Sequence, residues 1–228
     1  MLKQAHKFYN QKKYKEALKL YEKLAKEGNA DAITSLGFMY QNAQAVEKND
    51  RKALELYEEA AKSEQPYALF NLGLLYANGQ GGVEENHFKA FDYFLRSAKV
   101  GVDLAQYETA LRYERGLGCV QDYEMAAYWY EEAAKRGHAE AFNNLGVLYK
   151  DGIGVEQNYH RAFVCFSRAS EKNISVAQYN LGQLYDAGLG VEQDNEKALE
   201  YCRKAAFGGH EKAKEIIKKL QENGTIVF

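Results

Sequence analysis

The sequence predicts an all-α fold, a right-handed α/α superhelix (solenoid) of antiparallel helix-turn-helix repeats, with five full repeats between a shorter N-terminal hairpin and a C-terminal capping helix. Three observations predict it: a block of about 36 residues recurs, a single proline stands in 228 residues, and loop glycines followed by short polar residues punctuate four of the five blocks. Proline breaks helices by removing an N–H donor and clashing with the preceding turn, so a chain nearly without it can be helical throughout. A fixed period of roughly 20–50 residues marks units that bury their apolar faces only against neighbouring units.

The first helix of each block is anchored by an alanine. Ala32, Ala68, Ala105, Ala141, Ala177 and Ala213 follow one another at 36, 37, 36, 36 and 36 residues. Counting from each anchor, leucine and glycine stand at offsets 4 and 5 in Leu36-Gly37, Leu72-Gly73, Leu145-Gly146 and Leu181-Gly182, and Thr109-Ala110 takes their place in the third block. Tyrosine stands at offset 8 in Tyr40, Tyr76, Tyr113, Tyr149 and Tyr185. Offsets 0, 4 and 8 share one face of a helix with 3.6 residues per turn.

A loop follows. Gly116-Leu117-Gly118, Gly152-Ile153-Gly154 and Gly188-Leu189-Gly190 stop the first helix, whereas the first loop reads Ala43-Gln44-Ala45 and the second carries an extra residue around 79–82. An apolar residue (Val46, Val83, Cys119, Val155 or Val191) then tucks the loop onto the hairpin. Asn49, Asn86, Asp122, Asn158 and Asp194 come next, placed as N-caps of the second helix because their short side chains can accept from its free N–H groups.

The second helix has its own anchors, Ala53, Ala90, Ala126, Ala162 and Ala198. Bulky residues three and four positions on (Leu56 and Tyr57, Tyr93 and Phe94, Trp129 and Tyr130) alternate with small pairs such as Ala60-Ala61 and Ala133-Ala134. Small residues in register with large ones let two helices approach and interlock. At the ends, Phe8, Tyr14, Ala17, Tyr21 and Leu24 make a hairpin with a short loop, and Ala213, Ile216, Ile217 and Leu220 make a closing helix. The expected organisation is one solenoid domain over 1–228: an N-terminal hairpin 1–28, repeats 29–65, 66–102, 103–138, 139–174 and 175–210, and a capping helix with tail 211–228.

The pattern A-x-x-x-L-G-x-x-Y, then G-x-G-V, then K-A-x-x-x-Y-x-x-A-A resembles the Sel-one-like repeat, a longer-looped relative of the tetratricopeptide repeat, over residues 30–210. The N-terminal hairpin resembles an ordinary tetratricopeptide hairpin. The resemblance implies that the first helices line a concave inner surface, where relatives hold peptides or helices of partner proteins, and hence an adaptor or scaffold.

At 100° per residue, offsets 2, 6 and 9 point away from the anchor stripe, and a face that met only water would be polar there. Offset 2 instead reads Thr34, Phe70, Tyr107, Asn143 and Tyr179, and offset 6 reads Phe38, Leu74, Leu111, Val147 and Gln183. The expected partner-binding groove therefore comprises Phe38, Phe70, Leu74, Tyr107, Leu111, Tyr179 and Gln183. Asn71, Asn144 and Asn180 at offset 3 would offer amide hydrogen bonds to a partner's backbone. Packing between adjacent first helices is the alternative use of the same side chains.

Other function classes find little support. Thirty basic against thirty-two acidic residues, a net charge of −2, give no general attraction to nucleic acid or to an anionic membrane surface. No apolar run reaches the roughly 20 residues of a membrane helix, and residues 1–7 lack the apolar core of a secretory signal, so a cytoplasmic protein is expected. Cys119, Cys165 and Cys202 are odd in number and without a C-x-x-C pair, which fits reduced, buried thiols better than disulfides or zinc. His138 and His210 recur at a repeat boundary, as structural residues would, and His6, His87 and His160 have no partner at ligand spacing. The G-x-G-V loops follow helices, not strands, and no S-x-x-K, H-E-x-x-H or G-x-S-x-G occurs. No enzyme, metal or cofactor is expected. Asn173 and Asn223, although in glycosylation triplets, are read as unmodified. Two alternatives stay open: a self-associating scaffold, monomeric or weakly oligomeric, in which Ile226, Val227 and Phe228 dock on a neighbour, and a hydrolase-like or small-molecule-binding member of the repeat class.

Overall fold

The computed structural model describes residues 1–223, which form thirteen α-helices and no strand. The N-terminal hairpin is α1 (Leu2–Asn10) with α2 (Tyr14–Lys26). The repeats follow as α3 (Ala30–Gln41) with α4 (Asp50–Ala61), α5 (Pro66–Asn78) with α6 (His87–Val100), and α7 (Asp103–Arg115) with α8 (Tyr123–Lys135). Next come α9 (Ala139–Asp151) with α10 (Tyr159–Glu171), α11 (Ser175–Ala187) with α12 (Asn195–Phe207), and the closing helix α13 (Glu211–Glu222). The tail residues Ile226, Val227 and Phe228, with Gly224 and Thr225, lie outside the described residues.

The chain divides into two compact units, Met1–Gln121 and Asp122–Phe228. Within the first, each helix from α1 to α7 packs on the next, and within the second the same holds from α8 to α13. All six first-helix anchor alanines are completely buried. Their methyl groups mark where neighbouring helices come closest, which a longer side chain would prevent.

Within a hairpin, glycine at offset 5 lies beneath an aromatic ring of the second helix. A Cβ on Gly37 would stand 2.8 Å from the Tyr57 ring, one on Gly73 2.7 Å from the Phe94 ring, and one on Gly146 2.7 Å from the Phe166 ring. Tyr57, Phe94 and Phe166 are fully buried as a result. Each ring removes a large apolar area from water, of order 2–3 kcal/mol per side chain, and can do so only because the glycine leaves room for it.

The expected caps are formed. Asn49, Asn86, Asp122, Asn158 and Asp194 accept from the backbone N–H three residues on, at 2.8 to 3.0 Å. His138 and His210 turn out to be caps as well: their Nδ1 atoms accept from Ala141 N and Ala213 N, both at 3.3 Å. Val102 and Ile174 at the same boundary make no side-chain cap.

In the loops, Ala43 and Ala45 hold φ of 54° and 59°, the left-handed region that Gly116, Gly118, Gly152 and Gly154 occupy without strain. The two glycine positions are not equivalent in their surroundings. A Cβ on Gly118, Gly154 or Gly190 would fall on backbone at the start of the preceding repeat's second helix, at His87, Tyr123 or Tyr159. Ala45, which has only the short N-terminal hairpin before it, is exposed.

The third repeat departs most. Its offset 7, occupied by Met39, Leu75, Leu148 and Leu184 elsewhere, holds Arg112, which is buried with its guanidinium 4.6 Å over the Phe94 ring. Arg112 Nε and Nη1 have no hydrogen-bond partner among the described residues. Burial lowers its pKa, and burial likewise raises that of the half-buried Glu108 carboxyl one turn back.

Relieving the left-handed alanines should stabilise the protein. Ala43→Gly and Ala45→Gly are each expected to add about 1 kcal/mol to the urea-unfolding free energy, whereas Gly154→Ala, with both φ and space against it, should remove roughly 3 kcal/mol or more. Destabilisation by either alanine-to-glycine change would contradict this reading of the loops.

Candidate interaction faces

In the first unit, a groove of about 570 Å³ opens along the first helices. Three expected site residues meet there: Phe38 of α3, which is 41% exposed, and the half-buried Phe70 and Asn71 of α5. The Asn71 amide makes no hydrogen bond among the described residues and is open to a ligand. Phe70 also leans on the hairpin core, its ring 5.7 Å from that of Phe94. Leu74, Tyr107 and Leu111 are half-buried and do not line this groove; Leu74 packs with Phe70 against the core of α5 and α6.

The groove has two contributors that the offset pattern did not reveal. Tyr67 and Leu104, 57% and 45% exposed, stand at offset −1 with Asp31. At 100° per residue that position lies about 20° from offset 6, so the helical wheel contained the signal. The other contributor is the N-terminal hairpin, through His6, Tyr9 and Asn10 of α1 and Tyr21 of α2. Tyr9 meets Phe38 edge-on with ring centroids 6.4 Å apart, and its hydroxyl donates to Gln44 Oε1 at 2.8 Å.

In the second unit the expected amides turn towards one another. Asn180 Nδ2 donates to Asn143 Oδ1 at 3.2 Å, Asn143 Nδ2 to Asn144 Oδ1 at 3.1 Å, and Asn144 Nδ2 to the Tyr130 hydroxyl at 3.1 Å. This ladder ties α8, α9 and α11 together. Gln183 Nε2 donates to the Tyr179 hydroxyl at 3.2 Å. The Tyr179 ring in turn stacks on His210, centroids 4.3 Å apart, and burial lowers the His210 pKa, which suits a ring whose Nδ1 must stay an acceptor.

Tyr179 and Gln183 border a cavity of about 430 Å³ between α11, α12 and α13. Its origin is visible in the repeat. Where Tyr57, Phe94 and Phe166 supply the covering ring, the last repeat has Cys202, so Gly182 is left without one and both residues line the cavity. Burial raises the pKa of Cys202, and that of Cys165 is pushed up to about 12, so neither thiol is poised as a thiolate. Among the described residues, no three His, Cys, Asp or Glu side chains gather to hold a metal ion, and no helix is long and apolar enough to cross a membrane.

Capped helical hairpins repeated every 36 residues or so, with uncovered apolar positions on the first helices, define an all-α hairpin-repeat protein. The Sel1 repeat model matches residues 10–29, 30–64, 66–102, 103–138, 139–174 and 175–210, and the chain belongs to that family. The match at 10–29 takes in α2, so the second half of the N-terminal hairpin belongs to the same repeat pattern. Sel1 repeat chains are in general scaffolds for protein–protein interaction and not enzymes. No curated protein sequence matches the chain. Among solved structures, a Sel1 repeat protein from Oxalobacter formigenes superposes with a TM-score of 0.87 at 28% identity, covering 97% of this chain and 88% of its own. A protective antigen of uropathogenic Escherichia coli with an SLR fold gives 0.85 at 29% identity over 92% of this chain, which spans only 44% of that protein. An immunity protein from Pseudomonas aeruginosa shares the fold at 19% identity, with a TM-score of 0.53, 99% of this chain and 84% of its own being covered.

Restoring the missing ring offers a test of how the unit-two cavity arises. Cys202→Phe is expected to fill the space over Gly182 and to raise the unfolding free energy by about 1 kcal/mol, read by thermal or urea denaturation. A loss of stability of similar size would mean that the cavity is not the vacancy of an absent ring.

Proposed function

We propose that this protein is a non-enzymatic adaptor or scaffold that holds a peptide or helix of a partner protein against the first helices of its repeats. One observation carries the reading: Phe38, Tyr67, Phe70 and Leu104, from three successive first helices, leave apolar surface exposed around one groove of about 570 Å³. Apolar side chains on a helix face that only met water would contribute nothing to folding, whereas a concave apolar site with a few polar groups is the usual form of a ligand-binding surface. The family supports the class of function, and the partner's identity is not implied by it.

In this reading Tyr107 and Leu111 in the first unit, and Tyr179 and Gln183 in the second, add to the binding face of their own unit. The site works without a metal or cofactor and engages neither nucleic acid nor membrane, in keeping with a net charge of −2. The protein acts as a monomer or weak homo-oligomer. A reducing compartment, the cytoplasm, suits its three free cysteines.

The test separates binding from folding. Phe38→Ala and Tyr67→Ala together should change the unfolding free energy by less than about 1 kcal/mol, because both side chains are largely exposed, while weakening a captured partner at least tenfold in a titration with purified proteins. Unchanged affinity would overturn the assignment of this face, and turnover of a substrate abolished by one polar substitution would overturn the non-enzymatic reading.

A further inference from the structure

We infer that the groove of the first unit takes a cationic side chain, an arginine or lysine on an exposed segment of the partner, seated among aromatic rings with its charge against Asp31. The inference rests on the interaction-module reading and supplies the chemistry of the partner.

Asp31 is the one acidic residue lining the groove, and no lysine or arginine lines it. It sits in the first turn of α3, exposed. Its orientation is fixed from outside the helix: Gln65, which is buried, donates from Nε2 to Asp31 Oδ1 at 3.0 Å while its Oε1 accepts from Ala68 N at 2.6 Å. Gln65 thus caps α5 and at the same time holds the carboxylate in place. Asp31 Oδ2 has no partner among the described residues, and Asp31 is in no ion pair, unlike the acids that meet a lysine or arginine along the helices, such as Glu64 and Asp194.

The groove that Asp31 borders is lined also by Tyr9, Phe38, Tyr67 and Phe70. The faces of aromatic rings carry partial negative charge and attract cations, and the carboxylate adds a full charge of the same sign. An anionic segment would be repelled. A purely apolar anchor seated over Asp31 would take water from its carboxylate without supplying a charge to pair it. An arginine or lysine meets both demands, laying its methylene stem on the rings and its charged end on Oδ2.

The experiment selects phage-displayed random dodecapeptides on the intact protein and on Asp31→Asn. Asparagine keeps the acceptor for Gln65, so folding is expected to survive, and an unfolding curve checks it; Asp31→Ser serves if it does not. The expected outcome on the wild type is a common lysine or arginine beside an apolar residue. A synthetic copy of the strongest peptide should lose about tenfold in affinity when its cation is replaced by citrulline or norleucine, and by a similar factor against Asp31→Asn. Peptides without a common cation, or equal affinity for wild type and Asp31→Asn, overturn the inference. Should such cation-free peptides still weaken on Phe38→Ala, the groove stands as an interaction face and only its charge preference falls. Failure to select any peptide counts against both.

Discussion

Three of the five repeat hairpins close on a helical glycine covered by an aromatic ring, and most of the rest follows from that approach. With Gly37, Gly73 and Gly146 presenting bare backbone, Tyr57, Phe94 and Phe166 lie flat on the facing helix and become fully buried. The ring sets how near the two helices come, and nearness is what lets the anchor alanines serve as the packing surface towards the next hairpin. Once those positions are committed inward, offset −1 of the first helices is left exposed, and offsets 2, 3 and 6 are divided between packing and the groove. The groove of the first unit is thus a by-product of the packing geometry. Where the pairing lapses, as with Cys202 over Gly182, a cavity appears.

Loops and caps fix the second dimension, the step from one repeat to the next. The second loop glycine, at 118, 154 and 190, carries backbone so close to the preceding repeat's second helix that no Cβ fits. The polar caps that follow satisfy N–H groups that would otherwise be orphaned at each helix start. At the N-terminal boundary, where the preceding hairpin has the shortest loop, the same position tolerates Ala45.

Most of the fold was legible because its determinants repeat. An alanine, a leucine-glycine pair, a tyrosine and an Asn or Asp cap at fixed intervals leave little freedom in where helices begin and turn. The groove of the first unit was legible only in part. Phe38, Phe70 and Asn71 come together as the wheel implies, but Tyr67 and Leu104 sit at offset −1, outside the rows first singled out. His6, Tyr9 and Asn10 belong to α1, which the short loop sets outside the 36-residue period, so the period could not place them; Tyr21 stands 36 residues before Tyr57, in register, and was read only as hairpin core. The amide ladder through Asn180, Asn143 and Asn144 depends on side-chain rotamers across two repeats, which no spacing encodes. Arg112 in a leucine position was visible in the alignment of blocks, yet its stacking on Phe94 required the second helix to be in place.

The dependence of the hairpin on the pairing of glycine and ring is open to direct measurement by a double-mutant cycle at Gly73 and Phe94. In the wild type, Gly73→Ala thrusts a methyl group into the ring and should cost roughly 2 kcal/mol or more of unfolding free energy; in a Phe94→Leu background the smaller side chain can yield, and the same change should cost at least about 1 kcal/mol less. Additive effects, with Gly73→Ala equally costly in both backgrounds, would contradict the account.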